Sequence, residues 1–178
     1  KDALDQCLAD ESFGTQLDPA RIGIVGGSHG GFLGAHLVGQ FPDLFRAAVL
    51  RNPVTNIASM FSVTDIPDWC LFEATGRTDF PVPPTALPQV HAEMLSRSPL
   101  LHVHKVRAAT MLLLGSDDKR VPLSNGLEYY HLLCDAGATT TAYVYDDGHS
   151  LSKVSTEGDQ WINAIAWLHR YVLGGKDV

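Results

Sequence analysis

The sequence predicts an α/β fold of three layers, a mostly parallel sheet with helices on both faces. Three observations lead there. Short apolar runs alternate along the chain with segments whose apolar residues recur at helical spacing. The runs themselves, such as Thr110-Met111-Leu112-Leu113-Leu114, show no in–out alternation, which is the pattern of strands covered on both sides. The chain also has 178 residues, 45% of them hydrophobic and 19% charged, enough to bury one substantial core.

The elements follow in order. Ala3, Leu4, Cys7 and Leu8 fall at helical spacing, so residues 2–10 read as the end of an amphipathic helix. Leu17-Asp18-Pro19-Ala20 is a turn, and Arg21–Gly26, with Ile22-Gly23-Ile24-Val25 inside it, a buried strand. A helix with many small residues runs from about His29 to Gln40 and stops near Pro42. Ala47-Ala48-Val49-Leu50 is a second short strand. Residues 53–99 hold seven of the ten prolines and show little periodicity outside Pro88–Leu95. They read as a long, partly helical excursion over one end of the sheet, where α/β enzymes place binding surfaces. The strand at 110–114 follows, then helix 124–135 with Leu127, Tyr130, His131 and Cys134 on one face. Strand 141–145 and a last helix over 156–172, marked by Trp161, Ile165, Leu168 and Val172, complete the chain.

Bulk properties exclude several classes. A formal net charge of −7, with no basic stripe, argues against nucleic acid or an anionic membrane as partner. Three scattered cysteines, Cys7, Cys70 and Cys134, lack C-x-x-C spacing and suit reduced thiols in a cytoplasmic protein. No apolar run approaches the roughly 20 residues that span a bilayer, and no signal peptide opens the chain. The first residue is Lys rather than Met, which suggests that upstream sequence has been removed.

Gly26-Gly27-Ser28-His29-Gly30 carries the chemistry. It is a G-x-S-x-G pattern between a strand and a helix, the setting of a nucleophile elbow. Its glycines are expected where a Cβ would strike the facing strand or helix. A serine hydroxyl needs a base to accept its proton, and the base needs an orienting carboxylate. In α/β-hydrolases the order is Ser, then Asp, then His, on loops beyond the strands' C-terminal ends. Asp117 and Asp118 follow strand 110–114, and either can be the acid. Of eight histidines only His149 combines a loop position, a preceding glycine and a place after the last strand. His102-x-His104 has metal-like spacing but no third ligand to match, so no metal and no cofactor are expected.

Several segments resemble the acylaminoacyl peptidases of the prolyl oligopeptidase family of serine peptidases. They are Gly26–Phe32; Arg51-Asn52-Pro53-Val54-Thr55-Asn56-Ile57-Ala58-Ser59-Met60; Asp65-Ile66-Pro67-Asp68-Trp69-Cys70; Leu112–Pro122, which includes Gly115-Ser116-Asp117-Asp118-Lys119-Arg120-Val121; and Gly126-Leu127-Glu128-Tyr129-Tyr130. The resemblance implies an α/β-hydrolase fold with Ser28 as nucleophile and His149 as base. It selects Asp118 as acid, because in the family the acid lies three residues before the valine, here Val121. It further implies that Arg120 holds a substrate carbonyl, that the His29 N–H is an oxyanion donor, and that Val54, Ile57, Met60, Phe61 and Trp69 wall an apolar pocket. The reaction implied is release of an N-acylated amino acid from a blocked peptide. Simple ester or thioester hydrolysis on the same triad is the alternative.

The family enzymes are longer. They add a β-propeller and earlier hydrolase strands, including a His-Gly-Gly-type loop that gives the second oxyanion donor. Residues 1–178 are therefore expected to be a single, partial catalytic domain, the C-terminal portion of the hydrolase fold. An isolated chain of this kind is expected to be weakly active or inactive, or to act as an interaction module through an exposed sheet edge. The full-length enzyme is expected to be a homo-oligomer.

Overall fold

The computed structural model describes residues 1–12 and 14–175. Four strands form one parallel sheet in the order β1 (Gly23–Gly27), β2 (Ala47–Arg51), β3 (Ala109–Gly115), β4 (Thr140–Tyr145). Register pairs Gly26 with Leu50, Leu50 with Leu112, and Leu112 with Ala142. Spatial order equals chain order, so every strand is joined to its neighbour by a crossover containing helix.

The missing alternation in β2 and β3 has a direct cause. Ala48, Leu50, Leu112 and Leu114 point into one core, shared with Ala35 and Val38 of α2 (His29–Gln40) and with Tyr129 and Leu133 of α6 (Leu123–Asp135). Val49, Met111 and Leu113 point the other way, against Ala164, Trp167 and Leu168 of α7 (Val154–Leu173). Each buried leucine removed from water contributes about 1.5–3 kcal/mol, so both faces demand apolar residues. The edges differ: β1 and β4 are only partly covered, and Val25 is 46% exposed. The amphipathic face expected on α6 is rotated from the one the spacing suggests. Tyr129, Leu133 and Gly126 are buried, while Cys134 and His131 are exposed. A Cβ on Gly126 would lie 2.4 Å from Leu114, so close packing of α6 on β3 chose the face. At the N-terminus, α1 (Asp2–Ala9) buries no residue.

The proline-rich excursion is more regular than its sequence suggests. It contains α3 (Ile57–Phe61), α4 (Pro67–Thr75) and α5 (Leu87–Ser96), with 3₁₀ turns at Pro84–Ala86 and Pro99–Lys105. Its prolines do not break these helices, because Pro67, Pro84, Pro88 and Pro99 stand in first turns, where no N–H is needed. The segment has a core of its own, built from Val54, Ile57, Met60, Cys70, Leu71, Val90 and Met94, and it closes against Phe32 and Val121. Buried Asn125 of α6 fastens it. Its Oδ1 accepts the N–H groups of Thr55 and Asn56 at 2.7 and 3.1 Å, and its Nδ2 donates to Asn56 O at 2.8 Å.

Candidate active site

Three turns leave the same end of the sheet, and each brings one side chain to a common point. The first turns on Ser28. β1 ends at Gly27 and α2 starts at His29, so the chain reverses on a single residue held at φ 56°. Such a conformation costs a non-glycine residue on the order of 1–3 kcal/mol and persists only where its surroundings fix it. Here the Ser28 N–H donates to Arg51 O at 2.8 Å, and Ser28 O accepts from Phe32 N–H at 3.0 Å and Val54 N–H at 3.4 Å. Close approach dictates two glycines: a Cβ on Gly26 would lie 2.2 Å from Gly30 O, and one on Gly31 2.7 Å from Pro53. Gly30 departs from the expectation for its motif, since a Cβ there would meet nothing within 4 Å.

The second turn follows β3. Asp118 is buried to the point that its side chain has no exposure, whereas Asp117 is exposed. Asp118 Oδ1 accepts the N–H groups of Arg120 at 2.8 Å and Val121 at 2.9 Å, which aims Oδ2 outward. The third turn follows β4 and carries His149, 29% exposed at its side chain. His149 Nδ1 lies 2.7 Å from Asp118 Oδ2, and its Nε2 lies 2.9 Å from Ser28 Oγ. A carboxylate only accepts, so Nδ1 carries the proton and donates, and Nε2 accepts from the Ser28 hydroxyl. Side chains 121 and 31 residues apart thus form one continuous relay.

The sequence from residue 4 to 175 matches the prolyl oligopeptidase family. The acylamino-acid-releasing enzyme of Homo sapiens is 43% identical over 173 residues, which are 96% of this chain and 22% of that protein. The enzyme of the same name from Arabidopsis thaliana is 46% identical over 160 residues, 86% of this chain and 20% of that protein. The chain belongs to the prolyl oligopeptidase family. Among solved structures, the acylaminoacyl peptidase of Pyrococcus horikoshii superposes with a TM-score of 0.81 at 23% identity, over 98% of this chain and 27% of that one. A puromycin-hydrolyzing peptidase of Mycobacterium tuberculosis gives 0.79 at 26% identity, over 96% and 24%. The fold is that of the α/β-hydrolase peptidases. The chain spans about a fifth of the length of the curated relatives it matches.

Other expected site residues of this prolyl oligopeptidase family member are distributed unevenly. The His29 N–H occupies the first position of α2, where no intrahelical carbonyl can take it, and it stands directly beside Ser28. Its ring is bonded to Glu73 at 2.9 Å, stacks on Phe32, and meets the edge of Trp69 at 5.9 Å. Trp69 and Phe61 are half-buried and keep surface for a ligand. Val54 and Ile57 do not. At 1% and 0% exposure they, with Met60, lie inside the core of the helical excursion. They were expected as pocket walls, but the small helices need apolar filling of their own and take them. Arg120 is exposed and lies on the same turn as Asp118.

Sequence reasoning missed the residues that hold this site. Asp65 takes Arg120 with both carboxylate oxygens, at 2.8 and 3.2 Å, and the hydrogen bond holds the Asp65 carboxyl below the usual carboxylate range. The Thr64 hydroxyl donates to Arg120 O at 2.6 Å, and Asp65 N–H donates to Lys119 O at 3.1 Å, which binds the excursion to the turn that carries Asp118. Asp147, buried two residues before His149, accepts from Gly148 N–H at 2.7 Å and Lys153 N–H at 2.8 Å. Burial alone would raise its pKa, but these donors, with Thr156 and the Lys153 charge, outweigh it and hold the carboxyl low. Arg51 reaches Ser150 O at 2.9 Å and Gln160 at 2.7 Å, and Gln160 donates to Leu151 O at 2.6 Å. Asp147 before a glycine in a loop was a legible turn signal; Arg51 and Asp65 lay in the segments that carry the family resemblance but had no role assigned, and Gln160 had no signal.

Proposed function

We propose that this chain carries out serine-type acyl transfer and releases an N-acylated amino acid from a blocked peptide. The observation that carries the reading is the continuous Asp118–His149–Ser28 relay. Ser28 Oγ attacks the scissile carbonyl carbon while His149 Nε2 takes its proton. The His29 N–H faces the oxygen that gains charge. His149 then gives the proton to the leaving amine, and Asp118 stabilises the imidazolium without itself being protonated. Water repeats the cycle on the acyl-enzyme, with His149 again as base. Arg120, its fork fixed by Asp65, offers its remaining N–H groups to a substrate carbonyl. Names of the similar enzymes support the N-acyl specificity.

The test pairs labelling with turnover. Ser28 should react with a fluorophosphonate and Ser28→Ala should not. An N-acetylated alanine 4-nitroanilide should then be cleaved in preference to the unblocked amide and to a simple ester. Preference for the ester would favour the carboxylesterase reading. The partly exposed edge strand β1, with Val25 46% exposed, favours a second reading in which the chain is a weak catalyst that docks another segment. That reading stands if wild type and Ser28→Ala are equally unlabelled.

A further inference from the structure

Three turns on three strand ends can drift independently unless something fixes their spacing. Asn52, the first residue after β2, is 3% exposed and touches two of them with its side chain. Its Oδ1 accepts the N–H of Gly115, the last residue of the strand that leads to Asp118, at 2.8 Å. Its Nδ2 donates to the main-chain oxygen of His149 at 2.9 Å and to that of Gly148 at 3.4 Å. The amide orientation is unambiguous, because an N–H faces one end and two carbonyls face the other. The main chain around it reaches the remaining turn. Asn52 N–H donates to Leu113 O, and the adjacent Arg51 O takes the N–H of Ser28, both at 2.8 Å. Asn52 also sits at φ 39°, a region where asparagine is enriched among side-chain-bearing residues.

We propose that Asn52 is a positioning residue for the relay. This rests on the reading of Ser28, His149 and Asp118 as nucleophile, base and acid. The imidazole is rigid, so it meets Asp118 at 2.7 Å and Ser28 at 2.9 Å together only if its own main chain is held at one height above the sheet. Arg51, Gln160 and Asp147 grip Ser150, Leu151, Gly148 and Lys153 around the base. Asn52 grips the backbone of His149 itself and ties it to the exit of the acid strand. The approach there is tight: a Cβ on Gly115 would lie 2.6 Å from Asp147 O and 2.7 Å from Gly148 O. A carboxylate at 52 would keep the Gly115 bond but turn an oxygen against two carbonyls, and would push the base away. Glycine at 52 would accept the positive φ without strain and remove both bonds.

The experiment uses Asn52→Gly and Asn52→Asp, with Val38→Ala as a control that destabilises the core far from the site. Two readouts are taken: the rate of fluorophosphonate labelling, and the far-downfield proton resonance of the imidazole–carboxylate hydrogen bond. Both Asn52 variants should label about 10²-fold more slowly, the cost typical of a catalytic group displaced by roughly 1 Å. Their downfield resonance should broaden or vanish. On an acetylated anilide kcat should fall and KM stay. Val38→Ala should keep the resonance and the labelling rate while losing stability. The inference is overturned if Asn52→Gly keeps both, or if Val38→Ala loses both to the same degree. Should the wild type fail to label, the nucleophile assignment fails instead. The resonance still decides for Asn52, which loses its role if Asn52→Gly leaves that signal unchanged.

Discussion

Asp118→Asn separates the acid role proposed for this residue from its structural duty. The substitution keeps the shape and leaves one acceptor oxygen where there were two. That oxygen can serve the N–H groups of Arg120 and Val121, at 2.8 and 2.9 Å, or the His149 Nδ1 proton at 2.7 Å, but not both. Aiming the amide NH₂ at these two N–H donors would leave both without this acceptor, at about 1–3 kcal/mol for the buried Val121 N–H and less for the part-buried Arg120 N–H. The amide therefore turns its NH₂ toward Nδ1, which must now accept. The imidazole proton moves to Nε2, where it faces the Ser28 hydroxyl and can no longer receive its proton. A base in the wrong tautomer loses about 10⁴ in rate, or about 5.4 kcal/mol at 1.36 kcal/mol per tenfold. Fluorophosphonate labelling and anilide turnover measure the rate, and thermal unfolding measures the fold. Asp118→Asn should melt within a few degrees of wild type, while Asp118→Ala should be both slow and unstable. Asp117→Asn, at the exposed neighbour, should match wild type. The reasoning is refuted if Asp118→Asn stays within tenfold of wild type or if Asp117→Asn is as slow.

Further outcomes follow from other contacts. Asp147 has a folded-state pKa below its unfolded value of about 3.9, so its stabilisation is present above that value and is lost as pH falls through the folded pKa. Urea midpoints of wild type should therefore drop more steeply under strongly acidic conditions than those of Asp147→Asn, which should be the weaker at neutral pH; parallel curves would contradict this. Gly26→Ala should fail to fold or lose several kcal/mol, given a backbone oxygen 2.2 Å from the new methyl, whereas Gly30→Ala, in open space within α2, should gain about 0.5–1 kcal/mol. Denaturant titration of the pair checks both signs. Burial, with Asp68 nearby, pushes the Cys70 thiol up to about 12. Thiol titration near pH 8 should accordingly find the exposed Cys7 and Cys134 fast and Cys70 slow until the chain unfolds.

Local pattern carried the fold and pointed to Ser28 and His149. The apolar runs marked all four strands to within one or two residues; β2 and β3 have no polar position to spare because they are buried on both faces, whereas β1 and β4 are edge strands and only partly covered. Ser28 was singled out by its glycine-framed place between a strand and a helix, and His149 by its loop position after the last strand, and the structure brings the two side chains within 2.9 Å. The choice between Asp117 and Asp118 needed either resemblance or structure, since spacing treats them alike and only burial tells them apart.

Tertiary structure decided what long-range contact decides. Val54 and Ile57 could not be sorted from pocket walls by sequence, because an apolar residue on a short helix reads the same whether it faces a ligand or a neighbour. The excursion's helices were hidden, since prolines punctuate a sequence without showing that they start helices rather than end them. Asp65, Gln160 and Asn52 act through partners 55, 109 and 97 residues away, and no local period records such a distance. Sequence alone was enough to name the groups with the chemistry to react, because that chemistry is local. Only the packed chain decided that they meet within 3 Å, because that depends on bonds between segments far apart in sequence.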